Sequence, residues 1–557
     1  MSNYFNLGSY SRPISTQSAS AQRWFDRGLV WCYGFNHEEA ACCFERVIEA
    51  DPNCAMGYWG IAYANGPFYN KPWVYFGQSE LVDRVAICYE SIQKAIALAE
   101  KVTAVEQALI HAMAHRYPVG QVVAQEAFDG WDAAYAESMA TVFAKFPHDL
   151  DVITLYAEAM MTKTPWKLWN VATGEPMAAD TLTAVHILEE GLQLIAENKL
   201  PPHPGLPHMY IHAMEMSPTP ERALKAADKL RNLVPDSGHL CHMPSHIDLL
   251  CGDYYNAVAV NETAVKADAK YLATVEQYSF YTTSCCHDFH LLMYAAMMLG
   301  QYKKAIWATA GITNLVTPDV LRVDVPHFVS TLEGYHSMKM HVFIRFGKWQ
   351  MIVDEPMPAE QELYCVTTAM FHYAKGIAHA ALGHAEMAER EVGWFETAVS
   401  NISPDRRFFN NSALDVLGVG RQMMLGEVAY HKGDHEKAFT HLRKAVYLDD
   451  TLAYTEPWAW MHPPRHALGA LLLAQGHVEE AEAIYRADLG LDDTLNRPSR
   501  HPNNVWSLHG YVECLQRLGK HEAASALQLQ LNLALARADV EVDSSCCCRA
   551  AKGCCHD

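Results

Sequence analysis

Histidine is the residue type whose spacing in this chain could do chemistry. There are 29 in 557 residues, and six fall in the 44 residues from 203 to 246. His208 and His212 stand four apart in HMYIHAMEM, so on a helix both rings leave one face, and Glu215, three further on, shares it. Two imidazoles one turn apart beside a carboxylate form a donor set for a divalent ion. A second group, His239, His242 and His246, occupies GHLCHMPSHIDLL. Pro244 suits a first helical position, which puts His242 at or just before a helix start and His246 in its first turn. The spacing predicts that His208 and His212 converge on one ion with at least one of His239, His242 and His246, and His290 of CCHDFH is a further candidate ligand. Glu215 is the candidate catalytic carboxylate, or a ligand. Neutral imidazole suits copper, iron and zinc. The interleaved thioethers of Met209, Met214, Met216 and Met243 and the shortage of carboxylates put copper first, iron second and zinc third.

The reaction follows less directly from these residues. No HExxH motif is present, and no Glu lies between His208 and His212, so the usual peptidase base is missing. A histidine set without an attached acid–base pair suits redox or O₂ chemistry better than hydrolysis. The leading expectation is therefore a copper- or iron-dependent oxidoreductase or oxygenase acting on a small molecule. Trp166, Trp169, His203 and His287 would line its substrate pocket, although tryptophans at such positions are also ordinary inter-repeat core. Two alternatives stand beside it. One is a repeat scaffold that binds a protein partner in its groove without catalysis; the other is a zinc-dependent hydrolase with Glu215 as ligand or base. There is no nucleotide-binding glycine loop, nucleophile elbow or CxxC pair. His111 and His115, also four apart, read as surface or groove residues, and His462, His466 and His501 sit in Pro-flanked segments.

The elements that must position these side chains are helices in pairs. Gly28, Ala40, Phe44, Val47 and Pro52 fit the register of a ~34-residue two-helix repeat, in which small residues let helices approach closely. Gly426, Gly433, Ala438, Leu442, Ala445 and Asp450 repeat that register, and Gly469, Gly476, Ala481 and Tyr485 begin another unit. Gly376, Gly383 and Ala388 mark a further one, and Gly519 and Ala524 close the array. Strand signals are nearly absent. The expected fold is an all-α, tetratricopeptide-like helical solenoid, a right-handed superhelix, with loop insertions such as PWKLWNVATGEPM (165–177) and KLPPHPGLPH (199–208). Such long loops in a compact domain are usually functional. The expected divisions are a flexible N-terminus over 1–20, helical repeats over 21–115, a His-rich central region over 116–310, further repeats over 311–536 and a disordered Cys-rich tail over 537–557.

A net charge of −21 argues against nucleic acid as a partner, because phosphate neutralisation needs Lys and Arg. No apolar stretch reaches the ~20 residues a membrane span needs. With 16 scattered cysteines and no apolar export signal, a cytoplasmic chain with reduced thiols is expected. The tail, ADVEVDSSCCCRAAKGCCHD, carries five cysteines in its last twelve residues.

The segments FNHEEA (35–40), AMGYWGIAYANGPFYN (55–70) and LYAEAMM with PW (155–166) resemble a widespread family of tetratricopeptide-repeat proteins. So, above all, does HPGLPHMYIHAMEMSPTPERALKAADKL followed by GHLCHMPSHI (203–247). The resemblance covers most of residues 20 to 535. It implies the helical-repeat fold and the importance of the histidine block, and it implies no reaction.

Overall fold

The computed structural model describes residues 4–275, 278–456 and 458–549. The fold is all-α and tetratricopeptide-like, 68% helical. Among the described residues the only sheet is a two-residue hairpin, Arg407–Phe408 against Asn411–Ser412.

The chain divides into two compact units. The first holds Met1–Ile247, Glu262–Cys285 and Asp324–Pro326. The second holds Asp248–Asn261, Cys286–Val323 and His327–Asp557.

In the first unit the helix Ala19–Tyr33 packs on His37–Ala50. A Cβ on Gly28 would lie 2.7 Å from the Phe44 ring, so the small residue is what lets the two helices touch. The Ser18 and Asn36 side chains cap the two helix starts by accepting from Ala21 and Glu39 N–H groups. The unit continues through Ala55–Asn65, Gln78–Leu98, Ala104–Arg116, Gln125–Lys145, Leu150–Met161 and Ala179–Asn198 to Gly205–Glu215, the first helix of the histidine block. The N-terminal segment, expected to be flexible, packs against this unit from residue 4. Arg12 is buried and pairs with Asp149 at 2.7 Å and Asp151 at 2.6 Å, and the Tyr10 hydroxyl donates to Asp151. A buried carboxylate needs such partners, and the segment supplies them.

In the second unit the pairs are Cys365–Ala381 with Ala385–Ser400, Ala413–His431 with His435–Asp450, Pro464–Ala474 with Val478–Asp488, and Val505–Arg517 with His521–Leu535. A Cβ on Gly426 would lie 2.7 Å from Leu442, and one on Gly469 would lie 2.5 Å from Tyr485. The turns inside two pairs place Gly433 and Gly476 at φ 84°, a conformation a side chain disfavours. The Cys-rich tail, expected to be disordered, is packed into this unit as far as Arg549. Ser545 and Cys546 to Cys548 are buried, the Ser545 hydroxyl donates to the His466 carbonyl at 2.9 Å, and Arg549 forms a bidentate pair with Glu513 at 2.6 and 2.8 Å. Cys546 and Cys548 are joined by a disulfide, against the expectation of reduced thiols, and Cys547 is a free buried thiol that packs as a small apolar residue. The remaining tail cysteines, Cys554 and Cys555, lie outside the described residues.

Candidate metal centre

The helix Gly205–Glu215 is fixed at its start by His203. The His203 Nδ1 accepts from the Gly205 and Leu206 N–H groups, both at 3.1 Å, while its Nε2–H donates to Asp151 at 3.0 Å. Asp151 also accepts from the Tyr33 hydroxyl at 2.6 Å. Burial alone would raise the Asp151 carboxyl, but Arg12 and His203 hold it well below the usual carboxylate range. His203, a candidate pocket residue, is thus placed as a helix cap. Gly205 allows the helix to abut Tyr33, since a Cβ there would meet that ring at 2.7 Å.

That contact brings His208 beneath the end of the helix Ala19–Tyr33. Its Nδ1–H donates to the Tyr33 carbonyl at 2.6 Å, which leaves the Nε2 lone pair facing inward. His212, one turn on, donates Nδ1–H to Glu215 Oε1 at 2.7 Å, so its Nε2 is likewise the acceptor nitrogen. The helix Gly238–His242 brings in His239, whose Nε2 lies 3.1 Å from His208 Nε2. Ligand nitrogens of His208, His212 and His239 all lie within 4.8 Å of one another, and the three residues are 0%, 0% and 1% exposed. A carboxylate or carbonyl bonded to the far nitrogen, fixing tautomer and ring orientation, is the arrangement found behind metal-bound histidines. Desolvation, then the neighbouring histidines, pushes the His208 and His239 imidazoliums well below the ordinary value. Desolvation lowers His212 too, against the pull of Glu215. Neutral imidazole is the ligating form.

His242 and His246 are beside this triad and outside its grouping. Their Nε2 atoms face each other at 2.8 Å, and His246 donates Nδ1–H to Glu215 Oε2 at 2.7 Å. Each Glu215 oxygen therefore holds one imidazole. Burial would raise this carboxyl, but His246 and His212 keep it below the ordinary value. His239 and His242 stand on the helix Gly238–His242 and His246 on Pro244–Leu250, and a ligand atom of His242 also lies within 4.8 Å of one of His239, so the pair adjoins the triad. His287 and His290 belong to the second unit. There His290 Nε2 lies 3.0 Å from Met461 Sδ and its ring packs on Tyr335 and Phe409, while His287 lies 3.6 Å from Glu456.

The insertion at 165–177 rests on the same helix: Trp169 Nε1–H donates to the Ala213 carbonyl at 2.7 Å. Trp166 reaches the triad through Tyr69, whose ring centroid is 5.4 Å from Trp166 and 4.9 Å from His212. Phe35 was not foreseen from the sequence. Its ring packs on all three triad histidines, at 4.4, 5.7 and 5.1 Å, and its backbone sits at φ 55° in the turn after Gly34. A left-handed phenylalanine costs of order 1–3 kcal/mol and persists where packing demands it. A bulky aromatic at a repeat turn, FNH, was the available signal.

Two stretches of the chain match tetratricopeptide-repeat family models, residues 421–451 and 462–487. The chain carries tetratricopeptide repeats over those residues. No curated protein matches it. Among solved structures it is similar to the human IFIT1 dimer with m7Gppp-AAAA (11% identity, 94% of this chain and 91% of that one, TM-score 0.32). It is also similar to yeast Tom70 (12%, 91% and 96%, TM-score 0.30) and to a Rap protein complexed with competence and sporulation factor (10%, 70% and 98%, TM-score 0.30). At TM-scores this low the likenesses carry no argument about this chain. No helix among the described residues is long and apolar enough to cross a membrane.

Proposed function

We propose that this chain is a tetratricopeptide-repeat scaffold for a protein partner whose first unit is built around a divalent transition-metal ion. The observation that carries the metal is the triad. His208 and His212 have their tautomers set by Tyr33 and Glu215, and with His239 they direct neutral nitrogens at one buried point. His208, His212 and His239 would hold the ion, and Glu215 would orient His212. The scaffold half rests on the repeats and on a cavity of about 1400 Å³ in the second unit, lined by Glu360, Glu362, His372, Arg406 and a Trp394 that is 45% exposed. Repeat proteins bind partners on surfaces of this kind.

A second reading keeps the copper- or iron-dependent oxidoreductase. Three nitrogen ligands leave a coordination position open, which a purely structural site does not need. The hydrolase reading is weaker, because Glu215 is committed to two imidazoles and would act as a positioning residue rather than a base.

The test is elemental analysis of chain purified without an affinity tag. At least about one ion per chain is expected, and the double variant His208→Ala/His212→Ala should lose the triad's ion while keeping its helical circular dichroism. A metal content unchanged by that variant would sink the centre and leave the scaffold alone.

A further inference from the structure

We propose that the first unit holds two ions, the second between His242 and His246, with Glu215 joining the two positions. This rests on the metal reading of the triad and extends it to residues the triad does not use.

The pair repeats the geometry of the triad. His246 gives its Nδ1–H to Glu215 Oε2 at 2.7 Å, so the nitrogen it turns toward His242 is the one with the lone pair, as in His212. The two facing nitrogens lie 2.8 Å apart, against 3.1 Å for His208 and His239. An ion bonded at about 2.05 Å to both nitrogens would see them about 86° apart in the pair and about 98° apart in His208 and His239. Both are angles between neighbouring ligands on one centre. An angle near 90° is compatible with an ion of tetragonal or octahedral preference, such as copper(II) or iron.

The positions are adjacent, a ligand atom of His242 lying within 4.8 Å of one of His239. His239 and His242 rings are 5.7 Å apart and stacked, and His212 and His246 rings are 5.6 Å apart. Among the described residues, no group of ligand atoms within 4.8 Å of one another joins His208 to His242 or His246. One carboxylate orients a histidine at each position, Oε1 toward His212 and Oε2 toward His246. Loss of its charge should therefore weaken both positions together, which a carboxylate serving one ion would not do.

The experiment is titration of the metal-stripped wild-type chain with copper(II), followed by elemental analysis after gel filtration. Two ions per chain are expected, with an electron paramagnetic resonance signal reduced below that of two isolated copper(II) ions. His242→Ala/His246→Ala should bind one ion, and that ion should show a full isolated signal. The milder His246→Gln is the check if the double variant does not fold. One ion per wild-type chain, retained in the pair variants, would overturn the second position, leave the first intact and identify His242–His246 as an N–H···N hydrogen bond. No ion in any form would overturn the metal reading itself.

Discussion

Each unit buries a carboxylate among histidines, and the two clusters are wired in opposite senses. In the second unit Asp488 accepts from His466 Nε2 at 3.0 Å, His501 Nδ1 at 2.8 Å, Asn504 at 3.1 Å and the Ser507 hydroxyl at 2.6 Å. The other nitrogen of His466 accepts from Arg345 at 2.8 Å, so that ring is satisfied on both sides by ordinary protein groups. In the first unit Glu215 takes the Nδ1–H of His212 and of His246, and His246 turns its remaining lone pair toward another imidazole. Burial would raise either carboxyl, yet both are held low by their histidines, so the acid alone does not distinguish the clusters. What distinguishes them is where the second imidazole nitrogen points. In His466 it faces a guanidinium and closes a structural hydrogen-bond network, whereas in His208 and His246 it faces another imidazole, the arrangement on which the proposed ions rest.

The comparison is most severely tested by removing the Asp488 hub. Asp488→Ala strips four donors of their buried acceptor and should destabilise the protein by about 3–5 kcal/mol in chemical denaturation, with metal content unchanged. Loss of metal in that variant would mean the second cluster is no mere structural knot. The mirror experiment is His208→Ala/His212→Ala. The ion-free variant should lose about 2–5 kcal/mol, as large-to-small core changes do, and at a metal concentration 100 times Kd the wild type should gain about 2.7 kcal/mol per occupied position, of which the variant keeps only the share of the His242–His246 position. Glu215→Gln keeps the shape of the carboxylate and removes its charge. Metal affinity by competition titration should fall about 10–100-fold, and an unchanged affinity would show that Glu215 does not tune its imidazoles.

A smaller difference is expected with pH. His208 and His239 titrate well below their ordinary 6.5, so the unfolded chain binds more protons than the folded one as pH falls beneath that value. Their contribution is present above about pH 6.5 and is lost on acidification, and metal should be released over the same range. Burial lowers His466 only to about 4, because Asp488 supports its charged form. Hydrogen exchange between pH 7.5 and 5 should therefore show amides of Gly205–Glu215 losing protection before those of Pro464–Ala474. The reverse order would contradict the assignment of the two clusters.

Much of this was legible in residues alone. Gly28 against Phe44, Gly426 against Leu442 and Gly469 against Tyr485 are close helix contacts that only a small residue permits, so the repeat register could be read by eye. His208 and His212 share a face because four residues are about one helical turn, a local fact independent of fold. The partition of the histidines was not legible. Whether His239 joins His208, and whether Glu215 serves one ring or two, depends on approaches between segments some thirty residues apart or more.

Asp488 gave no sequence signal either, since nothing local links it to His466, 22 residues back, or to His501, 13 residues on. The tail's cysteines read as disorder because composition does not reveal that Glu513 waits for Arg549. The sequence by itself determined helices, their pairing and which side chains share a helical face, because these follow from the 3.6-residue period and from side-chain size. Only the tertiary structure decided which nitrogen of His208 and of His246 keeps its proton, because that choice is made by an acceptor from a distant segment. Tyr33, 175 residues from His208, makes it in the triad.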